Sequence, residues 1–343
     1  MRIIKILLSL IVTASLLISS LLSLSSCSNG RGSTPKSRTY LDYFDTVVTV
    51  YDYTGGAEKE FEELLSVIEP ELVLMDKLFD IYHEPTDGSY NLASLNRLAG
   101  EGPIKLDKRI IDLLSYSLSL YSETEGAVNI LFGAVLSIWH KYRSEGRELP
   151  PDALLTQAAK HTSPSLLKLD TEAMTAELLD KDARIDVGAT AKGFAEEYIA
   201  KILIDLGYSG IVLDFGGNLR TIGEKKNGDG WSTGIKDPLS PYSEYAKKLT
   251  LKNEALATSG TYERYYTVNG KRYHHIIDPE TLFPSERYLS LSVKSPSAAL
   301  SDALSTAFFN MPEDKIEEYV KETDGLYVFI ITSDGAAVSF GEE

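Results

Sequence analysis

The sequence predicts an α+β protein, with a mixed, largely antiparallel sheet core flanked by helices and a helical region nearer the N-terminus. Apolar residues recur at spacings of three and four over about residues 56–160, which is typical of amphipathic helices. Short runs rich in Val, Ile, Tyr and Thr dominate about residues 161–343, which favours strands. The chain has 343 residues, 43% of them hydrophobic, so we predict one folded domain with a substantial core over residues 39–343.

The first 26 residues have the pattern of an export signal. Arg2 and Lys5 accompany an apolar run over residues 3–24, and small residues then lead to Cys27. Residues 24–27 also resemble the lipobox of bacterial lipoproteins, and Cys27 is the only cysteine, which excludes an internal disulfide. We therefore expect a signal peptide over 1–26, then a lipidated Cys27 and a flexible tether over 27–38.

The expected location is the cell membrane, with the domain lipid-anchored on the extracytoplasmic face. An uncleaved transmembrane anchor is the alternative, and it also places the domain outside the cytoplasm. The formal net charge of −16 argues against nucleic acid as a partner. A phosphate-bearing substrate would need local compensation from a metal ion, lysines or backbone N–H groups.

The individual elements follow from periodicity and β-propensity along the chain. Helices are predicted over residues 57–79, 110–124, 134–143, 152–159, 190–206, 298–309 and 313–321, with a kink at Pro70. Strands are predicted over residues 40–50, 166–169, 176–179, 184–187, 210–215, 231–235, 248–251 and 288–294. A hairpin of 326–332 and 336–340 closes the chain.

The segment from Asp186 to Gly193 lies where a strand is predicted to end and a helix to begin. Free N–H groups at such a junction suit an anion, and Lys192 one turn in could help to hold a diphosphate. Asp186 could accept hydrogen bonds from a ring or ribose. The spacing excludes a Walker motif. An ordinary strand-to-helix turn with an exposed lysine is the alternative.

Two further patterns could carry chemistry. In an extended Tyr273-His274-His275, only one histidine can point into a given site, where it could act as a general base. Asp302 and Thr306 lie four apart on one helix face and offer the hard oxygen ligands that magnesium prefers. The alternatives are core or surface histidines, a carboxylate near a helix N-terminus and a buried threonine.

Glycine-containing segments at 215–218 and 258–260 are predicted as turns or as close approaches of the backbone to a ligand. In this order, the patterns resemble the ApbE-type flavin transferases, the FAD:protein FMN transferases found as exported bacterial lipoproteins. The resemblance runs from about residue 43 to 332, through residues 44–46, 95–96, 126–139, 186–193, 216–218, 231–238, 258–260, 275–279 and 302–307.

The resemblance implies an ApbE-like fold and a substrate, FAD, whose diphosphate is bridged by Mg²⁺. A threonine or serine hydroxyl of a target protein would attack, giving phosphoester-linked FMN and AMP. It further implies acceptor proteins that are membrane redox subunits. The same site could instead hydrolyse FAD to FMN and AMP, or a flavin-binding lipoprotein without turnover could use it as a carrier site.

The family's site residues map onto this chain position by position. The resemblance implies Asp302, Thr306 and the Ala189 carbonyl as metal ligands, and Lys192 facing the phosphates. It implies nucleotide contacts from Phe44, Tyr82, Ala127, Val128, Asn129, Asp186, Thr258 and Ile277. His275 is our expected general base, with Asp278 and Asp302 as alternatives.

The chain departs from the family pattern in three places. Phe44 stands where Met is frequent, Val128-Asn129 where Phe-Asp is frequent, and Thr281-Leu282 where Thr-Gly is frequent. The first two changes alter the expected flavin pocket. The third lies in a turn, where we expect little effect.

Overall fold

The computed structural model describes residues 34–240, 242 and 244–343. The predicted signal peptide and Cys27 lie outside these residues. Within them, no helix combines the length and the apolar character needed to cross a membrane.

The described chain alternates helical and strand segments. The helices are α1 (Glu58–Phe79), α2 (Leu92–Arg97), α3 (Lys108–Glu123), α4 (Gly133–Glu145), α5 (Asp152–Ala158), α6 (Ala191–Asp205), α7 (Ala298–Phe309) and α8 (Glu313–Glu322). The strands are β1 (Lys36–Tyr43), β2 (Thr46–Asp52), β3 (Ile104–Lys105), β4 (Leu167–Asp170), β5 (Thr175–Leu178), β6 (Ile211–Phe215), β7 (Asn218–Ile222), β8 (Trp231–Lys236), β9 (Tyr245–Leu251), β10 (Ala255–Gly260), β11 (Tyr266–Val268), β12 (Lys271–Tyr273), β13 (Tyr288–Ser295), β14 (Tyr327–Thr332) and β15 (Ala337–Gly341).

An eight-stranded sheet forms the centre of the molecule, in the order β1-β2-β6-β7-β10-β13-β14-β15. Every neighbouring pair in it is antiparallel. Smaller sheets join β3-β5-β4, β8-β9 and β11-β12. With helices packed on the central sheet, the α+β prediction is confirmed.

The helices α6 and α7 pack against each other and against the central sheet. Their contact is close at Gly193, where a side-chain Cβ would lie 2.5 Å from the Ala298 carbonyl oxygen. A second tie comes from Glu197 of α6, whose Oε2 accepts from the Ala298 N–H at 2.8 Å and from Arg220 Nε of β7 at 2.9 Å. These bonds fix the start of α7 relative to α6 and the sheet.

The predicted strand 40–50 is wrong in its extent, because the chain turns in its middle. Phe44 and Asp45 both adopt left-handed φ values, 52° and 54°, and separate β1 from β2. The turn contains no glycine, so the sequence carries little sign of it. β2 pairs with β6, which brings this N-terminal hairpin into the central sheet.

Two other local predictions need correction. Residues 184–187 form no strand; Arg184 makes one isolated bridge to Phe132. Residues 258–260 are not a turn, because they lie in β10, where Thr258 pairs with Ser292 of β13. Leu282 adopts a left-handed φ of 63°, the conformation that glycine favours, so the leucine found here is strained by about 1–2 kcal/mol.

Candidate active site

Helix α6 begins at Ala191, one residue after its predicted start, and follows a loop that carries Asp186 and Ala189. Asp186 is buried and its Oδ1 accepts from the Gly188 N–H at 2.8 Å. The N–H groups of Ala191 and Gly193 are already bonded, to Val187 O at 2.8 Å and to Asp302 Oδ2 at 2.7 Å. These two amides are therefore not free for an anion, which leaves Lys192 as the cationic group of this first turn.

Asp302 is the centre of a buried polar cluster that joins both helices to the sheet. Its Oδ1 accepts from Lys192 Nζ at 2.8 Å and from Asn218 Nδ2 at 2.7 Å, while Gly193 N–H donates to Oδ2. We call Asp302, Lys192, Gly193 and Asn218 the Asp302 centre. The structure thus brings together an acid and a lysine that lie 110 positions apart in the sequence.

Hydroxyl groups lie beside this centre. Thr306 follows Asp302 by one turn of α7, and its Oγ1 is 3.5 Å from Ser259 Oγ of β10. Ser259 Oγ is also 2.9 Å from Ser305 Oγ. Carboxylate, hydroxyl and, from the loop before α6, the half-buried Ala189 carbonyl are the hard oxygen donors that suit Mg²⁺. The three donors to Asp302 leave room for a further ligand, since a carboxylate offers about four lone-pair sites.

One other group of side chains in the described residues has ligand-like spacing. Ligand atoms of His161, Asp180 and Asp182 lie within 4.8 Å of one another. None of the three is a predicted site residue, and His161 Nδ1 already pairs with Asp180 Oδ2 at 2.6 Å.

Two further acids, Glu196 and Asp214, feel the charge of Lys192. Glu196, on α6, is fully buried and neither of its carboxyl oxygens has a hydrogen-bond partner. Burial raises its pKa well above 4.5, and Lys192 only partly opposes this. Burial also raises the pKa of Asp214 on β6 to about 6, against the Gly217 N–H bond and Lys192. The charge of Lys192 thus acts on Glu196 and Asp214 in addition to its ion pair with Asp302.

His274 and His275 have different environments, as the sequence predicted for neighbouring side chains. His274 belongs to the core, with Nε2 2.7 Å from Ser285 O and its ring 5.8 Å from that of Phe309. The Nδ1 atom of His275 is buried without a partner. Burial lowers the pKa of His275 to about 3, helped by the positive charges of Arg264 and Arg143 and by His274, and the Glu263 backbone opposes this.

Asp278, an alternative base, is committed to a turn. Its Oδ1 accepts from the N–H groups of Glu280 at 2.8 Å and Thr281 at 3.4 Å. Of the side chains considered for proton transfer, His275 is the one that keeps an unpartnered ring nitrogen.

Aromatic groups expected at the ring of the nucleotide lie near the arginines. The Tyr82 ring is 57% exposed, and its hydroxyl lies 2.9 Å from His140 Nδ1. Burial of the hydroxyl, with the charges of Asp186 and Asp45, raises the pKa of Tyr82 to about 12. Phe44 packs 6.0 Å from the ring of Phe215. Arg264 Nη2 donates to Asp45 O at 2.9 Å, which ties the β1–β2 turn to the loop after β10.

Most other residues predicted to contact the nucleotide have side chains that are buried in the core or hydrogen-bonded within the protein. Val128 is buried in the core, and Ala127 packs partly buried against the same cluster. Asn129 donates to Thr162 O at 2.9 Å and accepts from Leu131 N–H at 2.9 Å. Thr258 Oγ1 is 2.8 Å from Ser292 Oγ, and Ile277 is buried. A ligand would meet backbone rather than side-chain polar groups at these positions.

Sequence reasoning missed four residues of this region: His140, Arg143, Glu196 and Arg264. None lies in a recognisable motif. A burial pattern could have flagged Glu196, an acid within the apolar positions of a helix. The two arginines come from α4 and from the loop after β10, and only the folded chain brings them to His275.

The fold and the site define an α+β protein with a buried acid–lysine centre between two helices and a half-buried histidine beside an arginine pair. A family model described as the ApbE family matches residues 44–330. The chain belongs to the ApbE family.

Two curated relatives and one solved structure illustrate the likeness. The chain is 32% identical over 255 residues to the FAD:protein FMN transferase of Treponema pallidum, covering 69% of this chain and 70% of the relative. It is 26% identical over 286 residues to that of Escherichia coli K12, covering 82% and 80%. The crystal structure of the ApbE protein of Thermotoga maritima superposes with a TM-score of 0.79 at 25% identity, over 90% of this chain and 97% of that one.

Proposed function

We propose that this protein transfers the FMN half of FAD to a hydroxyl group of another protein. The observation that carries the proposal is the buried Asp302–Lys192 pair, 2.8 Å apart, with Thr306 one turn further along α7. This arrangement places an acid, a hydroxyl and a cation where a charged diphosphate needs them. The family and the names of its curated relatives support the same reaction.

In the proposed reaction, the hydroxyl oxygen of an acceptor threonine or serine forms a bond to the phosphorus of the FMN half. The bond from that phosphorus to the bridging oxygen breaks, and AMP leaves with this oxygen. The hydroxyl proton passes to His275, whose buried Nδ1 has no partner among the described residues. Lys192 offsets the negative charge of the diphosphate.

Magnesium is the metal that these donors fit. Asp302, Thr306 and the Ala189 carbonyl would hold it. When bound, the ion neutralises charge on the phosphate oxygens. Because Asp302 Oδ1 accepts from Lys192, we propose that the lysine turns from this carboxylate towards the phosphates when the site is filled.

The surroundings of the reaction are also part of the proposal. We propose that Cys27 carries lipid and holds the domain at the extracytoplasmic face of the cell membrane, with membrane redox subunits as acceptors. The lipobox-like residues 24–27 support this placement.

The test is mass spectrometry of a candidate acceptor incubated with the full-length chain in detergent, FAD and magnesium. An Asp302→Ala variant is compared with Asp205→Ala, which changes an exposed acid at the end of α6. We expect the acceptor to gain the mass of one FMN with the wild type and with Asp205→Ala only. Release of AMP without a modified acceptor would favour the hydrolase, and bound but unchanged FAD would favour the carrier.

A further inference from the structure

The start of β1 is the part of the central sheet nearest in sequence to the proposed lipid anchor. Lys36 begins β1 and lies nine positions after Cys27. A chain of nine residues reaches at most about 30 Å, and a flexible one spans about 15–18 Å on average. With Cys27 in the bilayer, as proposed above, the start of β1 lies within this distance of the lipid.

The strand register shows which other residues lie at the same end of the central sheet. Paired positions run across four strands from the start of β1: Lys36, Asp52, Ile211 and Ile222. We call this row and the loops that adjoin it, residues 53–57, 206–210 and 223–230, the tether end. These loops are bonded to one another, since Tyr53 N–H donates to Gly210 O at 2.9 Å and Glu224 N–H to Ser209 Oγ at 3.4 Å. The tether end is therefore one continuous surface.

The candidate active site lies towards the other end of the sheet. There Phe215 pairs with Asn218, and the β1–β2 turn carries Phe44. Asn218 Nδ2 donates to Asp302 Oδ1 at 2.7 Å, which joins the Asp302 centre to this end. Since β2 has seven residues, the two ends of the sheet are roughly 20 Å apart. The tether and the candidate site thus approach the sheet from opposite directions.

The tether end exposes apolar side chains where α6 finishes. Leu206, the residue that follows the helix, is 59% exposed, and Ile204 in its last turn is 39% exposed. Ile204 and the half-buried Tyr208 also line a surface hollow of about 440 Å³. The other walls of the hollow are Gly223, Glu224, Lys252 and Asn253. The apolar surface therefore continues from α6 to the loop after β7, and an aqueous surface gives it no favourable partner.

Lysines surround this apolar surface without ion pairs. Lys201 precedes Ile204 by one turn of α6, and Lys225 and Lys226 lie in the loop after β7. None of the three has a carboxylate partner within the described residues, whereas Lys252 pairs with Glu224 at 2.5 Å. The acids Asp205 and Asp229 lie in the same segments and are also without ion pairs, so the surplus is a single positive charge. A contact made by this end therefore depends more on its apolar side chains than on its charge.

We propose that the tether end rests on the membrane surface, with Leu206 and Ile204 inserted at the level of the headgroups. The lysines 201, 225 and 226 would lie beside the lipid phosphates, where long basic side chains are favourable. This inference rests on the proposed lipid anchor. The anchor also makes a small contact sufficient, because a short tether keeps the effective concentration of the domain at the bilayer high.

The contact would fix the orientation of the whole domain. A tether alone permits any face of the domain to meet the lipid, whereas insertion at the tether end selects one. Because the Asp302 centre lies towards the other end of the sheet, the candidate site then faces away from the bilayer. The site would stand on the order of 20 Å from the lipid, the length of the intervening strands.

The first experiment places a fluorophore at each end of the molecule. The full-length chain, with its lipid, is reconstituted into vesicles of phosphatidylcholine and phosphatidylglycerol in equal parts. Cys27 is the only cysteine and its thiol is blocked by lipid, so Asp205→Cys gives one labelling site between Ile204 and Leu206. Asp334→Cys is the matched control, an exposed acid in the β14–β15 turn, which lies at the opposite end of the sheet because Thr332 pairs with Tyr288.

We expect nitroxide-bearing lipids to quench the label at position 205 and to leave the label at position 334 unquenched. The emission at position 205 should also shift to shorter wavelength. Equal quenching at the two positions, or none at position 205, would overturn the proposal. A shift at position 205 without quenching by lipid would assign the tether end to contact with a second copy of the chain, and this result also contradicts membrane contact.

The second experiment changes the apolar side chains. In the Asp205→Cys chain, Ile204→Ser and Leu206→Ser are combined, and we expect the quenching at position 205 to be lost. Leu239→Ser is the control, because Leu239 is 58% exposed but packs against Gly335 in the β14–β15 turn. Quenching that survives the double substitution would overturn the role of Ile204 and Leu206.

The same vesicles separate this inference from the proposals on which it rests. Flotation of the chain with the vesicles reports the lipid anchor, and a chain that does not float would overturn both the anchor and the membrane contact. A chain that floats without quenching at position 205 would overturn the membrane contact alone. If quenching is seen but no protein acceptor gains FMN, the proposed transferase fails while the membrane contact stands.

Discussion

The Asp302 centre and the arginine–histidine cluster, formed by Arg143, Arg264 and His275, are built in opposite ways. Both oxygens of Asp302 have donors at 2.7–2.8 Å, from a lysine, an amide side chain and a backbone N–H. In the cluster, His275 Nδ1 is unpartnered and the arginines have no carboxylate among the described residues. The first is satisfied without a ligand, whereas the second has unmet charge that a ligand can satisfy.

The supporting elements explain this difference. The Asp302 centre lies between α6, α7 and β7, which are locked together by Gly193 and by the Glu197 bonds to Ala298 and Arg220. The cluster comes from the end of α4, the loop after β10 and the segment after β12. Sites on packed helices and strands hold geometry more closely than sites on loops. We infer that the Asp302 centre holds its geometry more rigidly than the cluster does.

Asp302→Asn tests the Asp302 centre, and it has the largest effect that we predict. The substitution keeps the shape of the side chain but removes the charge that pairs with Lys192 and that a metal ion needs. We expect FMN transfer to fall about a thousandfold, measured as FMN incorporated into acceptor per minute. Asp205→Asn should retain wild-type rates. A rate within about threefold of wild type for Asp302→Asn would separate the centre from the chemistry.

The histidine pair sharpens the comparison within two adjacent residues. His275→Asn removes the proposed base, so we expect the transfer rate to fall about a hundredfold with the thermal midpoint preserved. His274→Asn removes bonds to Ser285 O and from Ile276 N–H, so we expect about 1–3 kcal/mol lower stability with kcat retained in the folded fraction. The reverse pattern would assign His275 to the fold and His274 to catalysis.

Gly193→Ala tests whether the rigidity of the Asp302 centre matters. An added Cβ would lie 2.4 Å from Asp302 Cβ and 2.5 Å from Ala298 O, so the helices must separate. We expect a loss of about 1–3 kcal/mol in the free energy of unfolding, measured by urea titration, together with a higher magnesium requirement. Gly188→Ala is the control, since its Cβ would meet only the Asp186 side chain, at 3.0 Å. If both substitutions lower the free energy of unfolding equally, the close contact between α6 and α7 at Gly193 does not account for the loss.

The sequence predicted the helices of the fold better than its strands and turns. Helix α7 matched its predicted bounds, 298–309, and α1 and α6 came within one residue at their starts. In α1 the amphipathic spacing coincides with the buried face, whereas α7 is apolar and buried almost all round. β10, Ala255–Gly260, was missed because its last three residues, Thr258-Ser259-Gly260, have the composition of a turn. The Phe44–Asp45 turn was missed because left-handed residues other than glycine leave no clear signal.

The candidate site divides in the same way. Asp302, Thr306 and Lys192 lie in segments whose order along the chain resembles a known family, so the sequence alone is enough to name them. The arginines lie outside such segments, and their meeting depends on where α4 ends and how the loop after β10 bends. The orphaned carboxyl group of Glu196 was also not identified, although its position among the apolar residues of α6 is a signal that could have found it.

Glu196 is buried on α6, the helix that carries Lys192, but its carboxyl oxygens have no hydrogen-bond partner. Its titration gives the smallest effect that we predict. Its pKa in the folded state lies well above the 4.5 expected for the unfolded chain, because of burial. The folded state therefore binds the proton more tightly, so the contribution of Glu196 to stability is fully present below pH 4.5 and is lost as the pH rises through the folded pKa. Glu196→Gln cannot ionise, so relative to this variant the wild type should lose stability between pH 4.5 and 8 in urea titrations. Glu322→Gln, an exposed change on α8, should follow the wild type at each pH. If Glu196→Gln shows the same pH dependence of stability as the wild type, the carboxyl group of Glu196 has a hydrogen-bond partner in solution.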